Sequence, residues 1–476
     1  MIRNIFLAIG LTGLLFITGC ATNPVTGKKD FMLISKNQEV AMGQQADPEI
    51  TNSMGLYEDK QLQRFIKRKG KKMVDVSHRQ DLDYEFKVLD SPVVNAFAVP
   101  GGYIYFTRGI MAFFNNEAQF AGVLGHEIGH VAARHSAKQY SKAMLAELGL
   151  AVGSVVSPEF AQFSDLARTG LGLLFLKYGR DAERQSDELG VEYSTKIGYD
   201  AEEMAGFFNT LDRMRPEGGD VPGFLSTHPH PQERFETVRE LANTWQQKLD
   251  LENLDVNRDG YLQMIDGITY GPDPREGFVE NNTFYHPDLK FKYPVPNGWQ
   301  VQNTPQQVQM APESGEAIII LTLQNSKSLN QAVQQVLQNY NLKAIETRRA
   351  IVNGFDTQIL LAEQILQDQA LRLLIYLIED NNMIYSFLGV TEYNSFNQYQ
   401  RTFANTMGNF DRVTDPAILN KQPDHIEVEE VQQNARLTKV LSNMGVDQDE
   451  MEEIAILNGM SLSSSVSAGT LIKLVE

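Results

Sequence analysis

The residues best suited to do chemistry form the run His126-Glu127-Ile128-Gly129-His130. Four residues make about one turn of an α-helix, so the two imidazoles would project from one face and could share a metal ion. Glu127 would lie on the same turn, close enough to take a proton from a water held by that metal. The pattern therefore predicts a hydrolytic zinc centre on a helix.

The metal would need a third ligand from another part of the chain, because a catalytic zinc is held by three protein groups and keeps one position open. Glu183 and Asp187 stand four residues apart, so on a helix they would share a face. We assign Glu183 to the metal and Asp187 to a hydrogen bond that fixes the tautomer of a liganding imidazole. The competing carboxylates are Asp181, Glu188 and Glu192.

Attack of water on a peptide carbonyl produces a tetrahedral oxyanion, which needs a hydrogen-bond donor besides the metal. The stretch 225–231 offers His228 and His230, together with two prolines that stiffen the chain around them. We expect His228 to be the donor, and a plain surface turn is the alternative interpretation. His135 follows His130 by five residues, so it is expected to point away from the metal and to be structural.

The helix that carries the two metal-binding histidines is predicted from Asn115 to about Tyr140. Asn115 and Asn116 can cap its start, and Glu117 in the first turn faces the positive end of the helix dipole. Its apolar residues recur at helical spacing: Phe120, Val123, Leu124, Ile128 and Val131. Before this helix, residues 95–107 predict a β-hairpin with a Pro-Gly-Gly turn.

Length and composition limit the classes of protein. The chain has 476 residues, a formal net charge of −18 and 42% hydrophobic residues. This length suggests two or three domains, and the apolar content excludes wholesale disorder. The acidic balance argues against a nucleic-acid partner, which would need a basic face. Cys20 is the only cysteine, so an intramolecular disulfide and a cysteine-based zinc site are excluded.

The first twenty residues predict an export signal. One cation, Arg3, precedes an apolar run at 5–17 that is too short for a permanent membrane span and has the size of a signal-peptide core. The sequence ITGC at 17–20 resembles a bacterial lipobox, in which Cys20 would be lipidated and become the first residue of the mature chain. A plain secretory signal is the alternative. The residue after Cys20 is not aspartate, and by resemblance to sorting rules this favours the periplasmic face of the outer membrane of a Gram-negative bacterium.

Together these residues resemble metallopeptidase family 48, the zinc endopeptidases that include the CAAX prenyl proteases and the BepA-like periplasmic proteases. The resemblance is carried by NPVTG at 23–27, NAFA at 95–98 with PGG at 100–102, HEIGH at 126–130, the stretch 180–187 and STHP at 226–229. It implies one Zn²⁺ per chain, held by His126, His130 and Glu183. It also implies that Glu127 is the catalytic base, and that His228 is a transition-state donor or a fourth, inhibitory ligand.

The same resemblance implies a substrate-binding strand. In the family, the residues that correspond to Asn95, Ala96, Phe97 and Ala98 form an edge strand at the active site. An extended peptide could pair with such an edge by backbone hydrogen bonds, which depend on the shape of the chain rather than on its sequence. The chain departs from the family at residues 185–186, where it has Gln-Ser and the family often has Glu-Ala. This difference changes the charge near the metal ligands but not the ligands themselves.

The predicted fold class is α+β, with a mainly helical zincin domain of the gluzincin type and a small edge-strand sheet at 20–270. Residues 1–19 would be the signal peptide. A turn-rich linker leads to a predicted α+β domain at 281–415, which resembles domains of the PsbP type. A small acidic module at 424–476 resembles the end of a LysM module, so peptidoglycan is a weakly indicated partner.

The predicted function is that of an envelope zinc endopeptidase that cleaves unfolded or misassembled envelope and outer-membrane proteins. Its membrane contact would be the lipid on Cys20. The alternative is a chaperone-like or binding scaffold, in which His228 closes the metal site and the C-terminal domains do the work.

Overall fold

The computed structural model of the chain describes residues 20–147, 178–215, 223–229, 231–365 and 370–476. The predicted signal peptide at 1–19 lies outside these residues. Within the described part, no helix combines the length and the apolar content that crossing a membrane requires. The chain divides into two compact units, of which the first is Met1–Gly271 with Asp424–Glu476 and the second is Pro272–Pro423.

The first unit is mainly helical up to residue 271. Among the described residues, its helices there are α1 Lys36–Met54, α2 Lys60–Val74, α3 Arg108–Phe113, α4 Glu117–Ala132, α5 His135–Glu147, α6 Arg180–Lys196, α7 Glu203–Arg213, α8 Gly223–Thr227, α9 Pro231–Leu249 and α10 Arg258–Ile265. Its strands there are β1 Cys20–Thr22, β2 Lys29–Phe31, β3 Glu85–Leu89, β4 Ala96–Val99, β5 Tyr103–Thr107 and β6 Thr269–Tyr270.

Helix α4 begins as the sequence predicts. Asn116 is its N-cap residue, and the Asn116 side chain accepts a hydrogen bond from the backbone N–H of Gln119 at 2.8 Å. Every residue of α4 is buried, because α2, α6, α7 and the β3–β5 region all pack around it. The helix that carries the histidines is therefore held at the centre of the core.

The predicted end of that helix near Tyr140 is wrong, because the helix stops at Ala132 and a new one begins at His135. Arg134 between them is in the left-handed region, with φ of 58°. Its guanidinium donates to Glu39 Oε1 at 2.8 Å and to the Ile34 carbonyl at 2.9 Å. These contacts come from residues far away in the sequence, so helical periodicity alone does not reveal the break.

The predicted hairpin forms the edge of a small sheet. Strand β4 pairs antiparallel with β5, and β5 pairs in parallel with β3, which gives the order β3-β5-β4. The turn between β4 and β5 uses Gly101 and Gly102 at φ of 89° and 98°, a conformation that favours glycine. Strand β4, which begins at Ala96, therefore lies at an edge of this sheet.

The second unit is built on a seven-stranded antiparallel sheet in the order β10-β11-β12-β16-β15-β14-β13. Its strands are β7 Phe278–Glu280, β8 Thr283–His286, β9 Phe291–Pro294, β10 Trp299–Asn303, β11 Gln307–Pro312, β12 Ala317–Gln324, β13 Lys343–Val352, β14 Phe355–Ile365, β15 Ala370–Asp380, β16 Met383–Glu392 and β17 Asp411–Arg412. Its helices are α11 Leu329–Asn339, α12 Phe396–Gly408 and α13 Pro416–Leu419.

Alternate residues of this sheet belong to two cores. Leu373, Ile375 and Leu377 pack with α11, whereas Tyr376 and Ile378 belong to the core that contains residues of α12. This alternation is the period-two pattern of a strand covered on both faces. The described part of the second unit is therefore an α+β structure.

The C-terminal segment returns to the first unit. It consists of β18 Asp424–Glu430, β19 Ala435–Arg436, α14 Leu437–Asn443, α15 Met451–Leu457, β20 Ser465–Val466 and β21 Leu471–Val475. Ile454 and Leu474 lie in the same core cluster as Ile110. Buried Lys473 donates to the carbonyls of Ala112 and Phe114 at 2.7 and 3.1 Å. The stretch predicted as a separate module at 424–476 thus shares the core of the first unit.

Candidate metal centre

Four buried side chains converge inside the first unit: His126, His130, Glu183 and His228. One ligand atom from each lies within 4.8 Å of all the others. His126 Nε2 is 3.0 Å from His130 Nε2 and 3.2 Å from His228 Nδ1. Glu183 Oε1 lies 3.5 Å from His130 Nε2. We call these four residues the donor cluster, and it joins the predicted ligand set to His228.

Two helices in close contact assemble the donor cluster. Helix α4 presents its two histidines one turn apart, and α6 presents Glu183 across from them. A Cβ atom added at Gly125 would lie 2.9 Å from the carbonyl oxygen of Gly190. A Cβ atom added at Gly190 would lie 3.0 Å from the backbone nitrogen of His126. Glycine at both positions therefore allows the two backbones to approach closely enough for the side chains to meet.

The hydrogen bonds around His126 leave its Nε2 lone pair facing the cluster. His126 Nδ1 lies 2.9 Å from Asp187 Oδ1, and a carboxylate there holds the proton on Nδ1. This is the role predicted for Asp187. Burial lowers the pKa of His126, which keeps the ring neutral.

His130 is held in a similar way by His135, which was expected to point away from the metal and to be structural. His135 is not part of the donor cluster, and its Nδ1 lies 3.0 Å from His130 Nδ1, the ring nitrogen that does not face the cluster. The helix break after Ala132 turns His135 back towards α4. Its Nε2 lies 3.0 Å from Gln185 Oε1, and Ser186 Oγ lies 3.2 Å from its Nδ1.

Two nitrogen lone pairs and a carboxylate that face one another need a cation between them. Burial lowers the pKa of His130 well below its usual value, so a proton is disfavoured as that cation. Ligand atoms at 2.0–2.2 Å from a tetrahedral zinc lie roughly 3.3–3.6 Å apart, and the distances from His130 to His126 and Glu183 are 3.0 and 3.5 Å. The described residues therefore fit a metal ion.

Glu127 and His228 each carry polar atoms that the fold leaves without a partner. Both carboxyl oxygens of Glu127 and the Nε2 of His228 are buried, and none has a hydrogen-bond partner among the described residues. His228 Nε2 lies 3.6 Å from Glu127 Oε1. Burial raises the pKa of Glu127 to about 8. Such unpaired buried groups are costly and are typical of functional sites.

His228 faces two ways, so its position is compatible with both predicted roles. Its Nδ1 lies 3.0 and 3.1 Å from the two oxygens of Glu183, within the donor cluster, while its Nε2 faces Glu127. Burial acts to lower the pKa of His228, but the charges of Glu183 and Glu127 outweigh burial and raise it. His230, the other candidate donor, lies outside the described residues.

Sequence reasoning assigned no role to Arg234, which the structure places beside the cluster. The buried guanidinium of Arg234 donates to Asp187 at 2.6 and 2.8 Å and lies 3.2 Å from Glu183 Oε2. Burial acts to raise the pKa of Glu183, but the charges of His228 and Arg234 outweigh burial and hold it well below its usual value. The signal that could have identified Arg234 is its position close after the proline-stiffened stretch, six residues after His228.

Tyr178 also borders the cluster without having been predicted. Its ring stacks on His130 with 4.0 Å between centroids, and Phe224 stacks on His228 at 4.5 Å. Aromatic rings at such positions have no spacing pattern that identifies them in a sequence.

Of the predicted substrate-binding residues, Asn95 directly precedes β4, Ala96 to Ala98 lie on it, and Ala98 lies next to the candidate base. The backbone of Ala98 is close enough to Glu127 to act on its pKa. The side-chain oxygen of Asn95 is buried and has no hydrogen-bond partner among the described residues. Strand β4 therefore lies beside Glu127, and its residues Ala96–Val99 are buried among the described residues.

Comparison with known proteins agrees with this chemistry. Residues 60–242 match the model of Peptidase family M48. The mitochondrial metalloendopeptidase OMA1 of Arabidopsis thaliana is 31% identical over 220 residues, which are 45% of this chain and 43% of that protein. The beta-barrel assembly-enhancing protease of Escherichia coli K12 is 28% identical over 248 residues, half of each chain. The chain spans about half the length of the curated relatives it matches.

One solved structure that matches this chain does so at a low score. A cyanobacterial PsbP from Synechocystis sp. PCC 6803 covers 27% of this chain and 91% of its own, with 10% identity and a TM-score of 0.25. A score this low carries no argument, so the PsbP resemblance at 281–415 stays a prediction.

Proposed function

Because residues 60–242 form a domain of peptidase family M48, we propose that the protein is a zinc-dependent endopeptidase of the bacterial cell envelope. The observation that carries the proposal is the donor cluster with the unpaired Glu127 beside it. His126, His130 and Glu183 would hold one zinc ion. When bound, zinc supplies Lewis acidity that activates water and polarises a carbonyl.

The residues around the ion divide the remaining work. Glu127 takes a proton from the attacking water and delivers it to the leaving amine nitrogen. His228 Nε2, which faces Glu127 at 3.6 Å, donates to the oxyanion that develops on the substrate carbonyl. Asp187 and His135 orient the two liganding rings, and Arg234 holds Asp187 in place.

The proposed substrates are unfolded or misassembled envelope proteins, including those of the outer membrane. Pairing with the backbone at Asn95–Ala98 requires an extended chain, which a folded protein does not offer. The name of one relative, a beta-barrel assembly-enhancing protease, supports this class of substrate. Cleavage of one outer-membrane protein in its folded and urea-unfolded forms tests the idea, and equal rates for both forms would contradict it.

The proposed location rests on the lipobox at Cys20. A lipid there would tether the protein to the periplasmic face of the outer membrane, with one further attachment needed for stable anchoring if only one acyl chain is present. Replacement of Cys20 by serine should reduce the fraction of the protein that sediments with membranes. Metabolic labelling with a radioactive fatty acid gives the direct test, and absence of label from the unaltered protein would refute the anchor.

A second candidate function is supported by the position of His228. Its Nδ1 lies inside the four-residue donor cluster, so it could close the metal site and leave a binding or chaperone-like scaffold. Complementation with Glu127→Gln separates the two functions. Loss of function in cells supports proteolysis, whereas full complementation supports the scaffold. Proteins trapped by the same variant would identify the substrates.

A further inference from the structure

Helix α2 is strongly basic within a strongly acidic chain. Its 15 residues include seven lysines and arginines and no acid, whereas the formal net charge of the chain is −18. Six of the cations are exposed, and five of these six recur at positions that share one helical face: Lys60, Arg64, Lys67, Arg68 and Lys71. We call these five residues the α2 stripe.

The α2 stripe is fixed in orientation by the opposite face of the helix. Leu62, Ile66 and Met73 are at most 1% exposed and belong to the core of the first unit. At 1.5 Å per residue, the stripe from Lys60 to Lys71 is roughly 16 Å long. The fold therefore presents a straight row of cations to the solvent.

The fold itself uses few of these cations. Lys67 lies 3.9 Å from Glu85, and both side chains are about half exposed, so this pair contributes little. Across the described ranges, Lys60, Arg64 and Lys71 form no ion pair. The stripe thus differs from Lys69 on the same helix, which pairs with a buried acid.

A cavity of about 600 Å³ opens beside the first half of the stripe. Lys60, Arg64 and Lys67 line it, with Glu58 as an opposing charge. Leu56 also lines it, and this apolar side chain is 47% exposed. Cations next to an exposed leucine match a phosphate headgroup with its acyl chain better than they match a purely polar ligand.

We propose that the α2 stripe docks the first unit onto the anionic phospholipid headgroups of a bilayer. The surface of a membrane with anionic lipids attracts lysines and arginines close to it, each worth about fivefold in binding. The rest of the acidic chain is repelled by the same surface, so the stripe also selects the orientation of the unit. Leu56 enters the headgroup boundary beside it.

This docking goes beyond the proposed protease and does not depend on its metal. It supplies a second membrane attachment besides the proposed lipid on Cys20, and two attachments are what stable anchoring requires. It would also hold the peptidase domain at the surface where membrane proteins are exposed.

The test measures vesicle binding by the mature chain, residues 20–476 with Cys20→Ser, so that no lipid is attached. Co-sedimentation is compared for vesicles of phosphatidylcholine and of phosphatidylcholine mixed with phosphatidylglycerol. The variant Lys60→Gln, Arg64→Gln, Lys67→Gln removes three charges of the stripe. A matched control removes three exposed lysines elsewhere: Lys327→Gln, Lys343→Gln and Lys439→Gln.

We expect binding to the anionic vesicles only, a loss of about a hundredfold in the stripe variant, and no comparable loss in the control. High salt and excess glycerol phosphate should weaken the binding, by screening and by competition respectively. Equal binding by the stripe variant and the parent would overturn the proposal, and so would equal binding to both kinds of vesicle. Tighter binding of soluble polyglutamate than of anionic vesicles would also overturn it and identify an acidic polypeptide as the partner. The stripe variant should cleave an unfolded protein at the same rate as the parent, because the stripe is not part of the proposed active site. A loss of vesicle binding with unchanged cleavage therefore concerns the docking alone and not the proposed protease.

Discussion

Helix α4 carries two buried polar clusters that the fold treats in opposite ways. At its first residue, Glu117 meets Lys69, Tyr199 and Asn257, and we call these four residues the Glu117 cluster. Both carboxyl oxygens of Glu117 have partners there. Ten residues later, Glu127 is fully buried, but neither of its oxygens has a hydrogen-bond partner among the described residues, and His228 Nε2 lies 3.6 Å from Oε1.

The difference appears in the pKa values of the two acids. Burial raises the pKa of Glu127 to about 8. Burial also acts to raise the pKa of Glu117, but hydrogen bonds from Lys69 and Tyr199 outweigh it and lower the pKa. A buried acid with hydrogen-bond partners stabilises its fold, whereas a buried acid whose oxygens lack hydrogen bonds is typical of functional sites. The comparison separates a structural acid from a candidate catalytic acid on one helix.

The largest effect that this comparison predicts is on catalysis. Glu127→Gln should reduce the cleavage rate of an unfolded protein by about a thousandfold, because general-base catalysis is lost while the ligands stay in place. Glu188→Gln on α6 is the matched control, since Glu188 is exposed and should leave the rate unchanged. Metal content should be equal in all three proteins. A Glu127→Gln enzyme with near-normal activity would remove Glu127 from the mechanism.

The Glu117 cluster should respond in stability rather than in activity. Glu117→Gln leaves Lys69 without its charge partner and should lower the free energy of unfolding by about 3 kcal/mol. Urea unfolding of the two proteins measures this. The activity per folded molecule should be retained.

A second variant shows whether the loss comes from the unpaired lysine. Adding Lys69→Met to Glu117→Gln removes the uncompensated charge and should recover part of the stability. No destabilisation by Glu117→Gln alone would mean that the Glu117 cluster is not structural.

The next effect concerns the ring that orients His130. His135→Phe removes the hydrogen-bond partner of His130 Nδ1 and should weaken zinc binding by about 10- to 100-fold. Competition with a chromophoric chelator measures the affinity. His78→Phe is the control, because His78 is exposed and contacts Tyr193 rather than the donor cluster. An unchanged zinc affinity in His135→Phe would show that His135 has no part in positioning the ligand.

The sequence predicted the local parts of this arrangement and missed the long-range ones. The spacing of His126 and His130, and the cap at Asn116, follow from the geometry of one helix. The pairing of Glu183 with that helix came from the need for a third ligand, from its four-residue spacing to Asp187 and from the family resemblance, since no periodicity connects residues so far apart. The sequence indicated the α+β character of the second unit through its strand-like segments.

What was missed depends on contacts between distant segments. The helix break at Arg134 is stabilised by Glu39, 95 residues away, and it alone brings His135 to the metal site. Arg234 becomes informative only when α9 packs beside α6. The C-terminal segment belongs to the first unit because Ile454 and Lys473 are buried there. The composition of the segment does not predict this burial.

The smallest predicted effect is a pH dependence of opposite sign for the two acids, measured on metal-free protein. The pKa of Glu127 is about 8 in the folded state and near 4.5 in an unfolded chain, so between these values the folded state binds more protons. Stability due to Glu127 therefore falls as the pH rises from about 4.5 to about 8. Glu127→Gln should be the more stable protein at pH 8, with the difference vanishing near pH 4.5.

Glu117 should behave in the reverse way, because its pKa is lowered by folding. Its contribution is present above the unfolded value of about 4.5 and is lost as the pH falls through the folded value. The deficit of Glu117→Gln should therefore be constant from pH 6 to 8 and shrink in acid. Urea unfolding of both variants and the parent, measured from acid pH to pH 8, gives the free energy of unfolding of each variant relative to the parent as a function of pH. The contrast between Glu117 and Glu127 would be contradicted if the stability differences of both variants from the parent changed with pH in the same direction.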